Sequence, residues 1–153
     1  MEELKEGDHA PGFTANDQNG NSVSLSDFKG KDVILYFYPK DDTPGCTAES
    51  CSFRDNYEEL LSKGFEVIGV SVDDEKSHKK FVNKYQLPFT LISDVDKKIV
   101  DDYGVWVEKN LYGKKYMGTA RKTFIIDKEG MIKKIIDKVD TKNSSQQVLE
   151  LVS

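Results

Sequence analysis

Val33-Ile34-Leu35-Tyr36-Phe37-Tyr38-Pro39-Lys40-Asp41-Asp42-Thr43-Pro44-Gly45-Cys46-Thr47-Ala48-Glu49-Ser50-Cys51 is the stretch from which the rest of the chain is read. Its first six residues are an uninterrupted apolar and aromatic run, the pattern of a strand buried on both faces. Thr43 suits a helix N-cap, and Pro44 then falls at the first helical position, where its missing N–H costs nothing. The helix signal continues to Lys63 and is closed by Gly64. The stretch therefore reads as a buried strand, a short loop and a helix, with Cys46 in the first helical turn.

Working outward, Glu66–Val72 is a second buried strand, and residues 75–86 form a helix with Phe81, Val82 and Tyr85 at helical spacing. Leu87–Ile92 is a short extended segment, and 95–103 a further helix. Gly104–Arg121, rich in Tyr, Lys and Gly, shows no clear period. Lys122–Asp127 and Met131–Asp137 are strands flanking a turn at Lys128-Glu129-Gly130. Asn143–Val152 fits a terminal helix capped by Ser144 or Ser145. Upstream, residues 12–25 read as a hairpin turning at Asn19-Gly20, and Ser26-Asp27-Phe28 as a capped turn. Strands alternating with helices call for parallel crossovers, and the late hairpin adds antiparallel edges. The predicted fold is a three-layer α/β/α arrangement around a central mixed sheet with an N-terminal β-hairpin. Residues 1–153 are expected to form a single domain, as the length suggests.

Composition narrows the function. Leu, Ile, Val and Phe make up about a quarter of the chain, enough for a packed core. The net charge of −5 argues against a nucleic-acid binder, which needs a basic stripe. The longest apolar run, Val33–Pro39, is far short of the ~20 residues of a membrane span. The opening Met1–Glu6 lacks the apolar core of a signal peptide, so the expected location is cytoplasmic. The Lys pairs 79–80, 97–98, 114–115 and 133–134 alternate with acids and read as solvated faces. His78 also reads as a surface residue. His9 and His78 lie far from the two cysteines and show no metal spacing, so no metal site is expected.

Cys46 and Cys51 are thus the candidates for chemistry. At a helix start the unpaired N–H groups and the dipole favour a thiolate. The position also follows the carboxyl end of a buried strand, where open α/β sheets place their sites. At about 100° per residue, Phe53, Tyr57, Leu60 and Leu61 lie within roughly 60° of the Cys46 direction, so Cys46 points with the packed face. Cys51 lies roughly 140° around the helix. In an ideal helix the two Cα atoms are about 8.6 Å apart, against the roughly 4.4–6.8 Å of a disulfide. If the pair bridges, the first turns have to unwind. An inert buried cysteine remains the alternative on these grounds alone.

Pro39-x-x-x-Thr43-x-x-Cys46 resembles the active-site signature of the peroxiredoxins, and Cys51 matches the resolving cysteine of their PrxQ, or bacterioferritin comigratory protein, subfamily. Phe37-Tyr38-Pro39-Lys40, Gly7-Asp8-x-Ala10-Pro11-x-Phe13 and Arg121-x-Thr123-Phe124-Ile125-Ile126-Asp127 agree, and the likeness runs from about residue 4 to the end. The resemblance implies a thioredoxin-like fold and thiol-dependent reduction of hydrogen peroxide and alkyl hydroperoxides without a cofactor. It implies that Cys46 is the peroxidatic nucleophile and Cys51 resolves its sulfenic acid as an intramolecular disulfide. Thr43 would hold the peroxide, Arg121 would favour the thiolate and bind the reacting oxygens, and Pro39 would roof the pocket. A dithiol protein such as thioredoxin would reduce the disulfide. A monomer is expected, with a dimer as the alternative. Glu49 is left outside the catalytic set, as a pocket hydrogen-bonder or a carboxylate complementing the helix dipole. Trp106–Met117 either collars the pocket mouth and selects bulkier hydroperoxides or packs on itself as a surface loop. Three rival readings stand beside this one. A disulfide oxidoreductase wants C-x-x-C, and a copper chaperone wants C-x-x-x-C with a late His; neither pattern is present. A redox-gated binding protein is compatible as an added role.

Overall fold

A computed structural model of the chain describes residues 3–152. In chain order the elements are β1 (Thr14–Asp17), β2 (Ser22–Ser24), a 3-10 turn (Leu25–Phe28), β3 (Asp32–Phe37), α1 (Pro44–Asp55), α2 (Tyr57–Ser62), β4 (Phe65–Ser71), α3 (Glu75–Tyr85), β5 (Thr90–Ser93), α4 (Lys98–Asp102), β6 (Trp106–Leu111), β7 (Lys114–Thr119), β8 (Lys122–Ile126), β9 (Ile132–Ile136) and α5 (Ser144–Val152). The main sheet runs β2-β1-β5-β4-β3-β8-β9. Its centre, β3, β4 and β5, is parallel, while β8, β9 and the N-terminal hairpin run antiparallel. This is the mixed-sheet α/β fold with an N-terminal hairpin that the strand-and-helix order predicts. Among the described residues no helix is long and apolar enough to cross a membrane.

The apolar run of β3 is buried on both faces because it feeds two cores. Ile34, Tyr36 and Tyr38 pack with Cys46, Phe53, Leu60, Phe81 and Val148 under α1, α2, α3 and α5. Val33, Leu35 and Phe37 pack on the other face with Ile99, Val100, Tyr103 and Phe124, under α4 and the 3-10 turn. Strand alternation alone makes this division. Gly69, on the neighbouring central strand, gives the Tyr36 ring its room. A Cβ at that position would lie 2.8 Å from the Tyr36 hydroxyl and 2.7 Å from Leu91.

Three local expectations need correction. The helix predicted over 43–63 is two helices, because Asn56 breaks it. The Asn56 amide donates to the Ser52 carbonyl at 2.9 Å and takes an acceptor that a continuing helix would use. The chain changes phase there, so Leu61, expected on the packed stripe, is 41% exposed. In the stretch with no clear period, β6 and β7 form a separate two-stranded sheet. Its two-residue turn, Tyr112-Gly113, has positive φ at both positions, the hairpin geometry that Asn-Gly usually announces. Tyrosine at the first position hides that signal. The alternation is also hidden, because Leu111, Tyr112, Tyr116 and Met117 are all exposed. At the C-terminal helix neither serine caps. Ser144 Oγ donates to the Asp140 carbonyl, and the Ser145 N–H is taken by Ser52 Oγ of α1.

Candidate functional site

The site is built on the loop between β3 and α1. Asp41 is its anchor. Its Oδ1 accepts from the Tyr38 hydroxyl at 2.6 Å, and its Oδ2 accepts from Ser77 Oγ at 2.8 Å and His78 Nδ1 at 2.7 Å. Its N–H donates to Asp73 Oδ2 at 2.8 Å. His78 is wholly buried rather than on the surface, since Asp41 and the Ile92 carbonyl supply an acceptor for each ring nitrogen. With an acceptor facing each nitrogen, the surroundings favour a doubly protonated ring. Burial opposes that charge, but the Asp41 carboxylate outweighs it and holds His78 above its ordinary value. Asp42 follows at φ +55, a left-handed conformation, and Lys84 and Tyr85 fix its carboxylate at 2.8 and 2.6 Å. Charge pairs and hydrogen bonds to α3 thus hold the loop in a conformation with a backbone cost.

That loop delivers the start of α1. Pro39 is half-buried just beyond β3. Thr43 occupies the N-cap position but makes no capping bond; its hydroxyl donates back to the Lys40 carbonyl at 2.9 Å. Cys46 is the third residue of the helix, among those whose N–H has no partner within it. It is 1% exposed and packs with Tyr36, Tyr38 and Phe53. Arg121, just ahead of β8, reaches across to this point. Its Nη2 donates to Cys46 Sγ at 3.2 Å and its Nη1 to Glu49 Oε1 at 2.8 Å. Burial disfavours the guanidinium charge, but Cys46 and Glu49 outweigh it and keep Arg121 cationic. Gly45 leaves space for this approach, since a Cβ there would stand 3.2 Å from Arg121 Nη2.

Cys51 lies further along α1, partly buried, and both cysteines are free thiols. Burial pushes the Cys51 thiol up, with Arg54 opposing. The turns around it are tethered on both sides. Ser50 Oγ shares a 2.8 Å hydrogen bond with the buried Tyr36 hydroxyl, and Ser52 Oγ one of 3.2 Å with Ser145 Oγ on α5.

The structure therefore brings Cys46 and Arg121 into contact, with Thr43 at the head of the same helix and Pro39 on the loop before it. Cys51 stands apart on an intact helix. Two residues join the site that the sequence reading did not include. Glu49 is 0% exposed and bonds Arg121. Its signal was its spacing, one helical turn after Cys46. Lys109 on β6 is half-buried, and burial followed by the nearby Arg121 lowers its pKa, with Cys46 opposing. The β6–β7 hairpin thus reaches the electrostatic field of the site; no local pattern signals that. Asp41, Asp73 and His78 place one potential ligand atom each within 4.8 Å of one another. Their close contacts are the hydrogen bonds already described, so the cluster fits a loop anchor better than an ion site.

A buried cysteine at a helix start, paired with an arginine just ahead of a central strand, is the arrangement of a thiol-based redox site. Residues 6–135 match the AhpC/TSA family, and the chain belongs to it. Its similarity is to the Bcp and PrxQ peroxiredoxins within that family. It is 53% identical to a putative peroxiredoxin bcp of Coxiella burnetii over 136 residues, 89% of this chain and 90% of that protein. It is 45% identical to peroxiredoxin Bcp of Escherichia coli over 149 residues, 97% and 96% of the two chains. A solved structure of a cysteine-to-serine variant of Xylella fastidiosa PrxQ superposes with a TM-score of 0.92 at 29% identity, covering 99% of this chain and 97% of that one. The fold is thus the thioredoxin-like one, and the chain is a peroxidase of the peroxiredoxin type.

Proposed function

We propose that the protein reduces hydrogen peroxide and alkyl hydroperoxides by an intramolecular two-cysteine cycle. The observation that carries this reading is the 3.2 Å contact from Arg121 Nη2 to the buried Cys46 Sγ at the start of α1. The guanidinium favours the thiolate and is in reach of the peroxide oxygens that approach it. Cys46 Sγ attacks the nearer oxygen, the O–O bond breaks, and the farther oxygen leaves with the electron pair and takes up a proton as water or an alcohol. Cys46 is left as a sulfenic acid. Thr43 supplies a hydroxyl at the pocket and Pro39 its roof. The Thr43 hydroxyl, bonded to Lys40 at rest, has to turn to meet the substrate.

Cys51 then attacks the Cys46 sulfur, forming a disulfide and releasing water. An intact α1 keeps the two sulfurs apart, so the helix start unwinds first. A thioredoxin-like dithiol protein returns both cysteines to thiols. Residues 1–153 act as one domain, as a monomer, in the cytoplasm, with no nucleic-acid or membrane partner.

A thiol count before and after one equivalent of hydrogen peroxide tests the cycle. Wild type should lose both thiols to an intramolecular disulfide, and Cys51→Ser should stop at a trappable sulfenic acid on Cys46. Survival of both thiols would refute the reading.

A further inference from the structure

Arg121 is one cation between two acids. One amino group of its fork is on the Cys46 sulfur and the other on the Glu49 carboxyl. If both acids were ionised, the buried site would hold one negative charge in excess. Glu49 is 0% exposed, and among the described residues its Oε2 has no hydrogen-bond partner. An ionised carboxylate with one oxygen unpaired and away from water is strongly disfavoured. Burial pushes the Glu49 carboxyl up to about 7, against the pull of Arg121. The other titratable groups that bear on the site are Tyr36 on β3 and Lys109 on β6. The Tyr36 phenol is raised chiefly by burial and further by Glu49, so it stays neutral. Lys109 adds to the positive side near Arg121.

We propose that Glu49 is the proton donor of peroxide reduction: it is the neutral acid while Cys46 is the thiolate, and gives its proton to the leaving oxygen. The balance then closes within the site. Before reaction Arg121 faces the thiolate and a neutral Glu49. The sulfur bonds the nearer oxygen and loses two electrons, and the O–O bond accepts them. The farther oxygen takes the Glu49 proton and departs as water or an alcohol. Afterwards Cys46 is a neutral sulfenic acid, and Arg121 faces the Glu49 carboxylate. Arg121 is matched by one anion in contact with it at both ends of the step. Glu49 regains a proton from solvent when α1 opens for resolution.

The inference rests on the peroxidase reading, and its test separates the two. Single-turnover oxidation is followed by rapid mixing in a Cys51→Ser background, with two oxidants. Hydrogen peroxide expels hydroxide, which needs a proton. Peracetic acid expels acetate, which needs none. Glu49→Gln keeps the size and an acceptor for Arg121 but has no proton to release. It should slow the hydrogen peroxide reaction by about 100-fold and leave the peracetic acid reaction, at pH 6, within about threefold. With hydrogen peroxide the rate should fall as pH rises above about 7, and Glu49→Gln should lack that fall. Glu49→Asp, shorter but still an acid, should react faster with hydrogen peroxide than Glu49→Gln. If Glu49 serves only to hold Arg121, the isosteric Gln should outperform Asp and both oxidants should slow together; either result overturns the proposal. A wild type that reacts with neither oxidant overturns the peroxidase reading itself, and this inference with it.

Discussion

Cys46 and Cys51 are five residues apart on one helix, yet their surroundings are opposite in kind. Cys46 is buried, but its sulfur meets a cation, and the chain before it is fixed by the Asp41 hydrogen bonds and by the Asp42 pairs with Lys84 and Tyr85. Cys51 is less buried, and its thiol is nonetheless pushed up, because Arg54 compensates its desolvation only in part. The turns flanking it are held by neutral hydroxyl pairs, Tyr36 with Ser50 and Ser52 with Ser145. Burial alone therefore does not set the reactivity of a thiol. What matters is whether the structure puts an opposite charge against the sulfur. The helix start has one in contact with its sulfur at 3.2 Å, whereas at Cys51 Arg54 offsets the burial only in part.

The sharpest test of this contrast removes each sulfur in turn. Cys46→Ser should lower peroxide consumption by at least about 1000-fold, as loss of a nucleophile does. Cys51→Ser should leave the first oxidation within about threefold of wild type and abolish only the disulfide, as a stopped-flow trace with mass analysis of the product would show. Equal loss in both variants would break the contrast. Next in size is the charge itself. Arg121→Ala should slow oxidation of Cys46 by about 10²–10³-fold and leave alkylation of Cys51 unchanged.

Glu49 offers a measurement on stability rather than rate. Its folded value of about 7 lies above the 4.5 of an ordinary glutamate. Below pH 4.5 folded and unfolded chains both hold the proton. As pH rises to 7 the unfolded chain gives it up first, so its carboxyl withdraws up to about 3 kcal/mol of stability across that window. Between pH 4.5 and 7 the unfolding free energy from urea titration should fall by that order in wild type, and Glu49→Gln should lack the loss. Smallest is the effect on the Cys51 side. Tyr36→Phe strips Ser50 of its partner, worth about 1–3 kcal/mol when buried. Disulfide formation, which needs the helix to open, should quicken by about tenfold, while the first oxidation stays the same. A slower disulfide would mean that the Ser50 tether aids resolution rather than restraining it.

The strand-loop-helix of residues 33–55 was legible because its signals are local. An unbroken apolar run, a proline at the first helical position and the cysteine after it need no knowledge of the rest of the chain. The contact between Arg121 and Cys46 spans 75 residues of sequence. The sequence supported it only through the resemblance of two separated motifs. Glu49 was visible as a carboxylate one turn from Cys46, but its isolation from water and its bond to Arg121, 72 residues on, appear only after folding. His78 looked like a surface residue because nothing in its neighbours reveals that Asp41 and the Ile92 carbonyl meet its ring.

The sequence by itself determined the strand-and-helix order, the phase of α1 and the placing of Cys46 at a helix start. These follow from side-chain period and backbone preference, which act over a few residues. Only the tertiary structure decided the break at Asn56, the β6–β7 hairpin near the site, the buried anchor at His78 and the single cation shared by Cys46 and Glu49. The first is a side-chain bond to a carbonyl four residues back that period and propensity do not reveal, and the others depend on which groups meet after folding and on how little water remains to solvate a charge once they have met.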